Sequence, residues 1–544
     1  MRKLLTVLLL LNTFLFLRAE TYTDSLSRPK LVVGIVVDQM RWDFLYRYYD
    51  RYLPNGGFKR MLHQGFSCEN TLIPYAPTVT ACGHACIYTG SIPAINGIAG
   101  NEWWDNKEMR DVYCVEDNVR SVGTEGPAGA MSPKNMLTTS ICDELRIATN
   151  FRSKVIGIAI KDRGGILPAG HSANAAYWYE SRSGNWITSA YYMNELPKWV
   201  RDFNASKWPD KYYAEGWNTL YPVNTYMQSS SDEKTYEAKT FGADQKKFPY
   251  DLKKFIGTNY GVLPGTPHGN SITTEFAKAA INAEKLGADV ITDFLTLSYS
   301  SPDYIGHAYG PNSVEVEDNY LRLDKELGEF FGFLDAKIGQ GQYLVFLSAD
   351  HGVAHVPVFL KENKIPAGVV AGNTMPDEMG KAMKEKFGSD KLVASLANYQ
   401  LYLDHRLIDS LKLDTDAVKK WLINYVSNYD GVDRAFETGE ELTEQPLNSR
   451  IKSMLVNGYH PRRSGDIQII LKPQWFSGYQ AGTTHGAWYP YDSHIPLLWY
   501  GWKIKPGKLN REVHMTDIAP TIAALLHIQM PSGNVGHVIE EVVR

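Results

Sequence analysis

Continuous apolar runs alternate along the chain with segments in which apolar residues recur at helical spacing. Four of the runs are rich in Val, Ile and Leu, and charged or imidazole residues follow each at once; they are "KLVVGIVVDQM" (residues 30–40), "SKVIGIAIKDR" (153–163), "DVITDFLTLSYSSPD" (289–303) and "GQYLVFLSADHG" (341–352). Such runs are typical of strands buried on both faces of a parallel sheet.

Helical patterns lie between these runs, for example at residues 272–288 and 319–338. Alternating strands and helices predict an α/β fold with a mainly parallel central sheet. In such folds ligands bind beyond the carboxyl ends of the strands. The charged residues that end the four runs are therefore the first candidates for a functional site.

Two stretches break this alternation and divide the chain. The first is rich in Tyr and Trp with little periodicity, and is predicted as an insertion over the active site; the second has its own helix and strand patterns and is predicted as a small α+β subdomain. The resulting division is a signal peptide (1–19), three parts of a catalytic core (20–163, 267–355 and 480–544), the first insertion (164–266) and the α+β insertion (356–479).

The N-terminus has the pattern of a cleaved signal peptide. Arg2 and Lys3 precede an apolar run at residues 4–17, and Ala19 ends the segment. The run is too short for a membrane-spanning helix and contains polar residues. We therefore expect a periplasmic or secreted protein without a membrane anchor.

The composition excludes some classes of partner and of fold but does not indicate a function. Charged residues make up 21% of the chain, the net charge is -4 and the isoelectric point is about 6.4, so no basic surface suggests a nucleic acid as a specific partner. Five cysteines in 544 residues do not form a disulfide framework, although one or two bridges remain open. We expect a monomer that acts on small molecules.

Six potential metal ligands lie in segments of the kind that form strand ends and glycine-containing loops. They are three aspartates and three histidines: Asp38, Asp303, His307, Asp350, His351 and His485. Imidazole and carboxylate groups suit a borderline divalent ion such as zinc. Six ligands are too many for one tetrahedral ion and suit two, which at about 3.5–4 Å apart can assist a phosphoryl displacement.

The stretch "PTVTACGHAC" (residues 77–86) contains several reactive side chains, and a helix is predicted from about residue 81 to 88. Thr80 directly precedes that helix, where the dipole and free N–H groups favour an anion. Thr78 should face the opposite way. Cys82 and Cys86 are too far apart for a disulfide at helical spacing, and we interpret them, with His84, as structural residues around Thr80.

The motifs resemble those of the alkaline phosphatase superfamily, and in particular the PafA-type alkaline phosphatases. Asp38 and the segments "TVTACGH", "GIAGN", "KDR", "DYIGH", "ADHG" and "THG" occur in the order of that superfamily, and the resemblance extends through nearly the whole chain after residue 19. It implies an α/β/α sandwich with two inserted cap-like segments, and a phosphate monoester hydrolase that uses two zinc ions.

The resemblance also implies roles for single residues. Three ligands would hold the first zinc ion: Asp303, His307 and His485. Four would hold the second, with the Thr80 oxygen as nucleophile and a phosphothreonine as intermediate: Asp38, Asp350, His351 and Thr80. Asn101, Lys161 and Arg163 would bind the nonbridging oxygens of the transferred group. Two cations there should favour the monoester dianion over a diester.

Other functions remain open on the sequence. A nucleotide pyrophosphatase/phosphodiesterase of the same superfamily would keep the threonine and all six ligands, but Lys161 and Arg163 argue against it. A sulfatase would need a modified Cys or Ser followed by Pro and Arg, which "TACGHACI" lacks, and a cofactor-independent phosphoglycerate mutase would lack a signal peptide. An exported binding protein with an inactive enzyme fold would be expected to lose a ligand or the nucleophile.

Overall fold

The computed structural model describes residues 26–371, 374–445, 447–478 and 481–544. The predicted signal peptide therefore lies outside the described residues. The described strands, in chain order, are β1 Leu31–Val37, β2 Phe66–Cys68, β3 Thr71–Leu72, β4 Glu102–Asp105, β5 Arg110–Tyr113, β6 Ser121–Val122, β7 Val155–Ala159, β8 Ala175–Glu180, β9 Asn185–Ser189, β10 Asp293–Tyr299, β11 Tyr343–Ser348, β12 Gly368–Ala371, β13 Val393–Ala397, β14 Gln400–Leu403, β15 Val432–Glu437, β16 Ile467–Leu471, β17 Trp475–Gly478, β18 His494–Ile495, β19 Leu497–Gly501, β20 Gly507–Leu509 and β21 Val513–His514.

The α-helices of the same described ranges are α1 Phe44–Arg47, α2 Gly57–Gln64, α3 Thr80–Thr89, α4 Pro93–Asn96, α5 Ile141–Ala148, α6 Asp162–Ala169, α7 Lys198–Ala205, α8 Trp208–Glu215, α9 His268–Glu284, α10 Ser301–Tyr309, α11 Val314–Lys337, α12 Pro357–Glu362, α13 Thr374–Phe387, α14 His405–Ser410, α15 Thr415–Ser427, α16 Ser449–Gly458, α17 Pro490–Ser493, α18 Ile518–Leu526 and α19 Glu540–Val543. None of these helices has the length and the hydropathy that crossing a bilayer requires.

Ten of the described strands form one sheet in the order β20-β2-β19-β11-β1-β10-β7-β8-β9-β6. The five from β11 to β8 are parallel, whereas β19 and β9 run antiparallel to their neighbours. Every residue of β1 is buried, as expected for a strand covered on both faces. The predicted α/β fold with a mainly parallel central sheet is confirmed.

The register of four central strands brings their carboxyl ends together. Val37 of β1 pairs with Tyr299 of β10, and Val36 pairs with Ser348 of β11. On the other side of β10, Ser298 pairs with Ala159 of β7. The residues that follow β11, β1, β10 and β7 therefore emerge side by side at one edge of the sheet, where α/β folds bind ligands.

A smaller antiparallel sheet has the order β13-β14-β16-β15 and its own apolar core. Leu401, Ile467 and Leu422 are fully buried in that core, separately from the central one. Asn398, beside β14, donates a 3.0 Å hydrogen bond from Nδ2 to the carbonyl of Glu102 in β4. This sheet therefore contacts the β4–β5 hairpin.

The prediction that the first insertion begins at residue 164 is wrong, because two strands after that residue belong to the central sheet. We placed residues 164–266 over the sheet, whereas β8 pairs parallel to β7 and β9 pairs with β8, so both strands belong to the central sheet itself. All six residues of β8, "AAYWYE", are buried. Aromatic side chains fill the places that Val and Ile take in the other strands, which concealed the strand pattern. The other segment boundaries stay predictions.

The helix after "PTV" is fully buried and one residue longer at each end than predicted. α3 begins at Thr80, so this threonine is its first residue rather than the residue before it. A Cβ on Gly83 would lie 2.4 Å from the Asp350 carbonyl oxygen, so a glycine here allows α3 to approach the end of β11. Cys82 and Cys86 are buried and unbridged, which confirms them as packed side chains.

Candidate active site

Three side chains from the ends of β1 and β11 form a fully buried cluster. Asp38 follows β1, and Asp350 and His351 follow β11; all three are 0% exposed. One atom of each lies within 4.8 Å of the others. His351 Nε2 is 3.5 Å from both Asp38 Oδ1 and Asp350 Oδ2. Two carboxylates and one imidazole thus converge on a common point.

A second group adjoins the first. Asp303 and His307 are one turn apart on α10, which places both on one face of the helix. His307 Nε2 is 3.1 Å and His485 Nε2 is 3.5 Å from Asp303 Oδ1. The His351 and His485 rings stack with centroids 3.5 Å apart, and Asp303, His351 and His485 also have atoms within 4.8 Å of one another. His351 therefore lies in both groups, although we predicted it for only one.

Each of the three imidazoles is oriented by a backbone carbonyl. The Nδ1–H groups donate hydrogen bonds of 2.8–2.9 Å: His307 to Thr483, His351 to Gly352 and His485 to Thr78. In a neutral ring Nε2 is then an acceptor, and all three Nε2 atoms lie toward carboxylate oxygens. Acceptors that face each other repel unless a cation or a proton lies between them. This orientation through a carbonyl is the usual arrangement of metal-binding histidines.

The hydrogen bonding of the first cluster tests whether these residues fit a metal ion. Asp38 Oδ1, Asp350 Oδ2 and His351 Nε2 are buried and have no hydrogen-bond partner among the described residues. Buried polar atoms of this kind cost free energy unless something binds them. By comparison, Asp350 Oδ1 accepts from the N–H groups of Gln39 (3.1 Å) and His351 (3.0 Å). The unpaired atoms are carboxylate and imidazole atoms, so the residues fit a divalent ion such as zinc.

Lys161 connects the two groups. Its ammonium is 2.7 Å from Asp38 Oδ2, 2.6 Å from Asp303 Oδ2 and 3.3 Å from Thr80 Oγ1. Burial lowers the pKa of Lys161, but the two carboxylates raise it by more, so the pKa lies above its ordinary value. Lys161 is therefore a permanent positive charge beside Thr80.

The environment shifts the other charges of the site in different directions. Burial, with the neighbouring Asp350, raises the pKa of Asp38 well above its usual range. Burial also acts to raise the pKa of Asp303, but His307 and Lys161 outweigh it and hold that pKa well below its usual range. Burial lowers the pKa of His485 well below that of a free imidazole, so this ring is neutral and available as a ligand.

Thr80 adjoins the described groups through Lys161, which also contacts Asp38 and Asp303. It is 1% exposed, it begins the ten-residue helix α3, and its hydroxyl faces Lys161. Thr78 Oγ1 instead donates a 2.7 Å hydrogen bond to the carbonyl of Ala487. The predicted opposite orientation of the two threonines is confirmed.

Asn101 and Arg163 are attached to the same region by short polar contacts. Asn101 Oδ1 accepts a 2.9 Å hydrogen bond from the N–H of Ala81 in α3. Arg163 Nη1 donates a 3.0 Å hydrogen bond to the hydroxyl of Tyr113, which in turn donates a 2.6 Å hydrogen bond to Asp162 Oδ1. Arg163 Nε is buried and has no hydrogen-bond partner within the described part of the chain, so this edge of the guanidinium is able to bind an anionic oxygen.

Three residues that contact the site were not predicted to do so, or only loosely. Gln39 donates to the carboxylates of Asp303 and Asp350, and Tyr113 holds Arg163. His84, predicted to support the ligands or to be structural rather than to bind metal itself, has Nδ1 2.9 Å from the Thr80 carbonyl oxygen and 3.3 Å from Asp350 Oδ2. In the sequence, only the position of Gln39 directly after Asp38 indicated that one of these residues would contact the site.

Comparison with known proteins identifies the family. A family model described as type I phosphodiesterase / nucleotide pyrophosphatase matches residues 32–494. The chain belongs to this family. This family is part of the alkaline phosphatase superfamily, so the resemblance of the sequence motifs to that superfamily is confirmed.

Relatives that match nearly the whole chain include proteins named alkaline phosphatase. The chain is 52% identical to alkaline phosphatase PhoV of Synechococcus elongatus, over 96% of this chain and 95% of the relative. It is 50% identical to alkaline phosphatase PafA of Elizabethkingia meningoseptica over 96% of both chains. A Myroides odoratus protein named calcium-transporting ATPase is 51% identical, again over 96% of both chains.

The same likeness holds in three dimensions. The crystal structure of wild-type alkaline phosphatase PafA superimposes with a TM-score of 0.93 at 49% identity, covering 96% of this chain and all of that one. The predicted alkaline-phosphatase-like fold is therefore confirmed.

Proposed function

We propose that the chain hydrolyses phosphate monoesters with Thr80 as the nucleophile and with two zinc ions held by the two ligand groups. That the chain is a phosphate monoester hydrolase rests on its likeness to PhoV and PafA along nearly its whole length. The metal identity and the residue roles are our proposal. The observation that supports them is the convergence of three unpaired, buried ligand atoms at one sheet edge, with Thr80 linked to them through Lys161.

We assign the ligands to the two ions as the resemblance to the alkaline phosphatase superfamily implies. The first ion would be held by Asp303, His307 and His485, and the second by Asp38, Asp350, His351 and the Thr80 oxygen. When bound, the two ions would supply Lewis-acid stabilisation of the charge on the reacting oxygens. Nitrogen and oxygen ligands in this proportion favour zinc over calcium or magnesium.

Thr80 would carry the phosphoryl group through the reaction. Its Oγ1 forms a bond to phosphorus as the ester P–O bond breaks and the alcohol leaves; water then attacks phosphorus, which breaks the Oγ1–P bond, releases inorganic phosphate and restores the hydroxyl. The Lys161 ammonium 3.3 Å away and the N-terminus of α3 both favour the alkoxide that attacks. A buried position keeps this charge away from water.

Asn101, Lys161 and Arg163 would bind the nonbridging oxygens of the transferred group. Two cations among them favour a monoester, whose dianion carries more negative charge than a diester. The unpaired Nε of Arg163 supports this assignment. The same argument weighs against the alternative, a nucleotide pyrophosphatase/phosphodiesterase, whose substrates have only one negative charge at the reacting phosphorus. The N-terminal sequence supports action in the periplasm or outside the cell.

Three substrates with one leaving group test the proposal. We expect an aryl phosphate monoester to have a higher kcat/KM than the matched phosphodiester and the matched sulfate ester. ATP is a useful fourth substrate, because one relative is named as an ATPase. Diester turnover equal to or above monoester turnover would overturn the proposed specificity.

A further inference from the structure

Gln39 is a buried side chain with donors toward both ligand groups. It is 2% exposed and follows Asp38 directly. Its backbone N–H donates a 3.1 Å hydrogen bond to Asp350 Oδ1, and its side-chain Nε2 donates a 2.6 Å hydrogen bond to Asp303 Oδ1. One residue thus reaches a carboxylate in each group.

The backbone at Gln39 is in the left-handed region, with φ at 66°. A non-glycine residue there costs about 1 kcal/mol and persists where the surroundings require it. The turn follows β1 immediately, and at this conformation both donors of Gln39 reach carboxylates. A residue in extended conformation would continue the strand instead.

Gly306 provides the space for the Gln39 amide. A Cβ at position 306 would lie 1.9 Å from Gln39 Oε1 and 3.0 Å from Gln39 Cδ. Gly306 is on α10 between Asp303 and His307. The helix that carries two ligands is therefore shaped to admit the amide that contacts one of them.

We infer that Gln39 is a positioning residue that sets the carboxylates of both metal sites, through its side chain for Asp303 and through its backbone for Asp350. This inference rests on the proposed function and deepens it. The amide fixes the oxygen of Asp303 that faces the Nε2 atoms of His307 and His485. Such outer contacts commonly change metal affinity by about 10–100-fold.

A substitution at position 39 can remove the side-chain contact to Asp303 and keep the backbone contact to Asp350, because the backbone N–H stays in place. Gln39→Met keeps the size of the side chain and removes the amide donor. Asp303 then loses its hydrogen bond, whereas Asp350 keeps both of its N–H donors. We therefore expect one of two zinc equivalents to weaken about 10–100-fold and the other to change little.

The measurement is bound zinc per chain, by elemental analysis of the holoenzyme dialysed against buffers of defined free zinc. Gly306→Ala is an independent route to the same state, because its methyl group displaces the amide without altering any ligand. Gly332→Ala in α11 is the matched control, since a Cβ there meets nothing within 4 Å. Thermal unfolding of all variants after zinc removal reports whether they remain folded.

Weakening of one equivalent in both Gln39→Met and Gly306→Ala, with the Gly332→Ala control unchanged, supports the inference. Wild-type zinc affinity in both variants would overturn it, and so would equal weakening of both equivalents. These results are separable from the proposed function, which is tested on the wild-type chain by whether it holds two zinc equivalents and prefers monoesters.

Discussion

Thr80 and Thr78 are two residues apart and have opposite surroundings. Thr80 faces the ammonium of Lys161, whereas Thr78 donates to the carbonyl of Ala487. Thr80 and Thr78 have the same side chain, so only their surroundings distinguish the candidate nucleophile, Thr80, from the structural hydroxyl of Thr78. The carbonyl of Thr78 has a task of its own, because it accepts the Nδ1–H of His485.

Thr80→Ala removes the proposed nucleophile and leaves the other six ligands intact. We expect kcat for the aryl monoester to fall by on the order of 10³-fold or more, with zinc content near that of the wild type. Steady-state kinetics and elemental analysis on one sample measure both. Thr78→Ala is the control, and a larger loss in that variant would contradict the assignment.

For single residues, the sequence is most informative where a side chain that can bind metal directly follows a predicted strand. Asp38, Asp303, Asp350 and His351 come directly or shortly after apolar strands, so their convergence follows from the parallel sheet. Gln39 could not be predicted in the same way, because its role depends on a left-handed backbone and on the space at another helix.

The β4–β5 hairpin connects the proposed substrate-binding residues to the rest of the fold. Asn101 directly precedes β4, and Tyr113 ends β5. The guanidinium of Arg463 also packs against the hairpin, 4.7 Å from the centroid of the Trp103 ring. Two of the contacts that would bind and orient the transferred group thus depend on one small element.

Tyr113→Phe tests this element. The change removes the hydroxyl that holds Arg163 and Asp162, so Arg163 loses a fixed direction. We expect kcat/KM for the monoester to fall about 10-fold, since a hydrogen bond to a charged group contributes about 1.5–3 kcal/mol. The diester, which carries less charge, should be nearly unaffected. An equal loss for both esters would contradict a role through Arg163.

Element prediction succeeded for strands with Val and Ile and failed for strands with aromatic residues. β1, β10 and β11 were predicted from uniform apolar runs. β8 carries Tyr and Trp and β9 carries Trp, which also occur in binding surfaces, and the pairing of β8 with β7 and of β9 with β8 places them in the sheet. Pairing of residues distant in sequence is not encoded in local composition.

The whole molecule contains three buried carboxylates in one small region: Asp38, Asp303 and Asp350. Lys161 is the one lysine or arginine within 4 Å of any of them among the described residues. A divalent ion that binds the folded state and not the unfolded state adds stability according to its concentration. The metal should therefore contribute to stability as well as to catalysis.

Zinc removal tests this consequence. We expect a chelator to lower the thermal unfolding temperature by several degrees, because binding at about 100 times Kd contributes about 2.7 kcal/mol. Added zinc should restore the temperature, and magnesium at the same concentration should not. Scanning calorimetry of four samples (untreated, chelated, zinc-restored and magnesium-treated) is sufficient, and an unchanged unfolding temperature after zinc removal would contradict the fit of these residues to a metal.

The strand order has a consequence for how the protein is made. β2, near the start of the chain, lies between β19 and β20, near its end, and β1 lies between two strands that begin more than 250 residues later. The strands β6 to β9 pair with one another within residues 121–189, but β1 and β2 need neighbours from the later part of the chain. A ribosome would release most of the polypeptide before the sheet could close, and His485 emerges last of all the ligands. An enzyme built in this order is inactive throughout its own synthesis, and its active site is completed only with the final part of the chain.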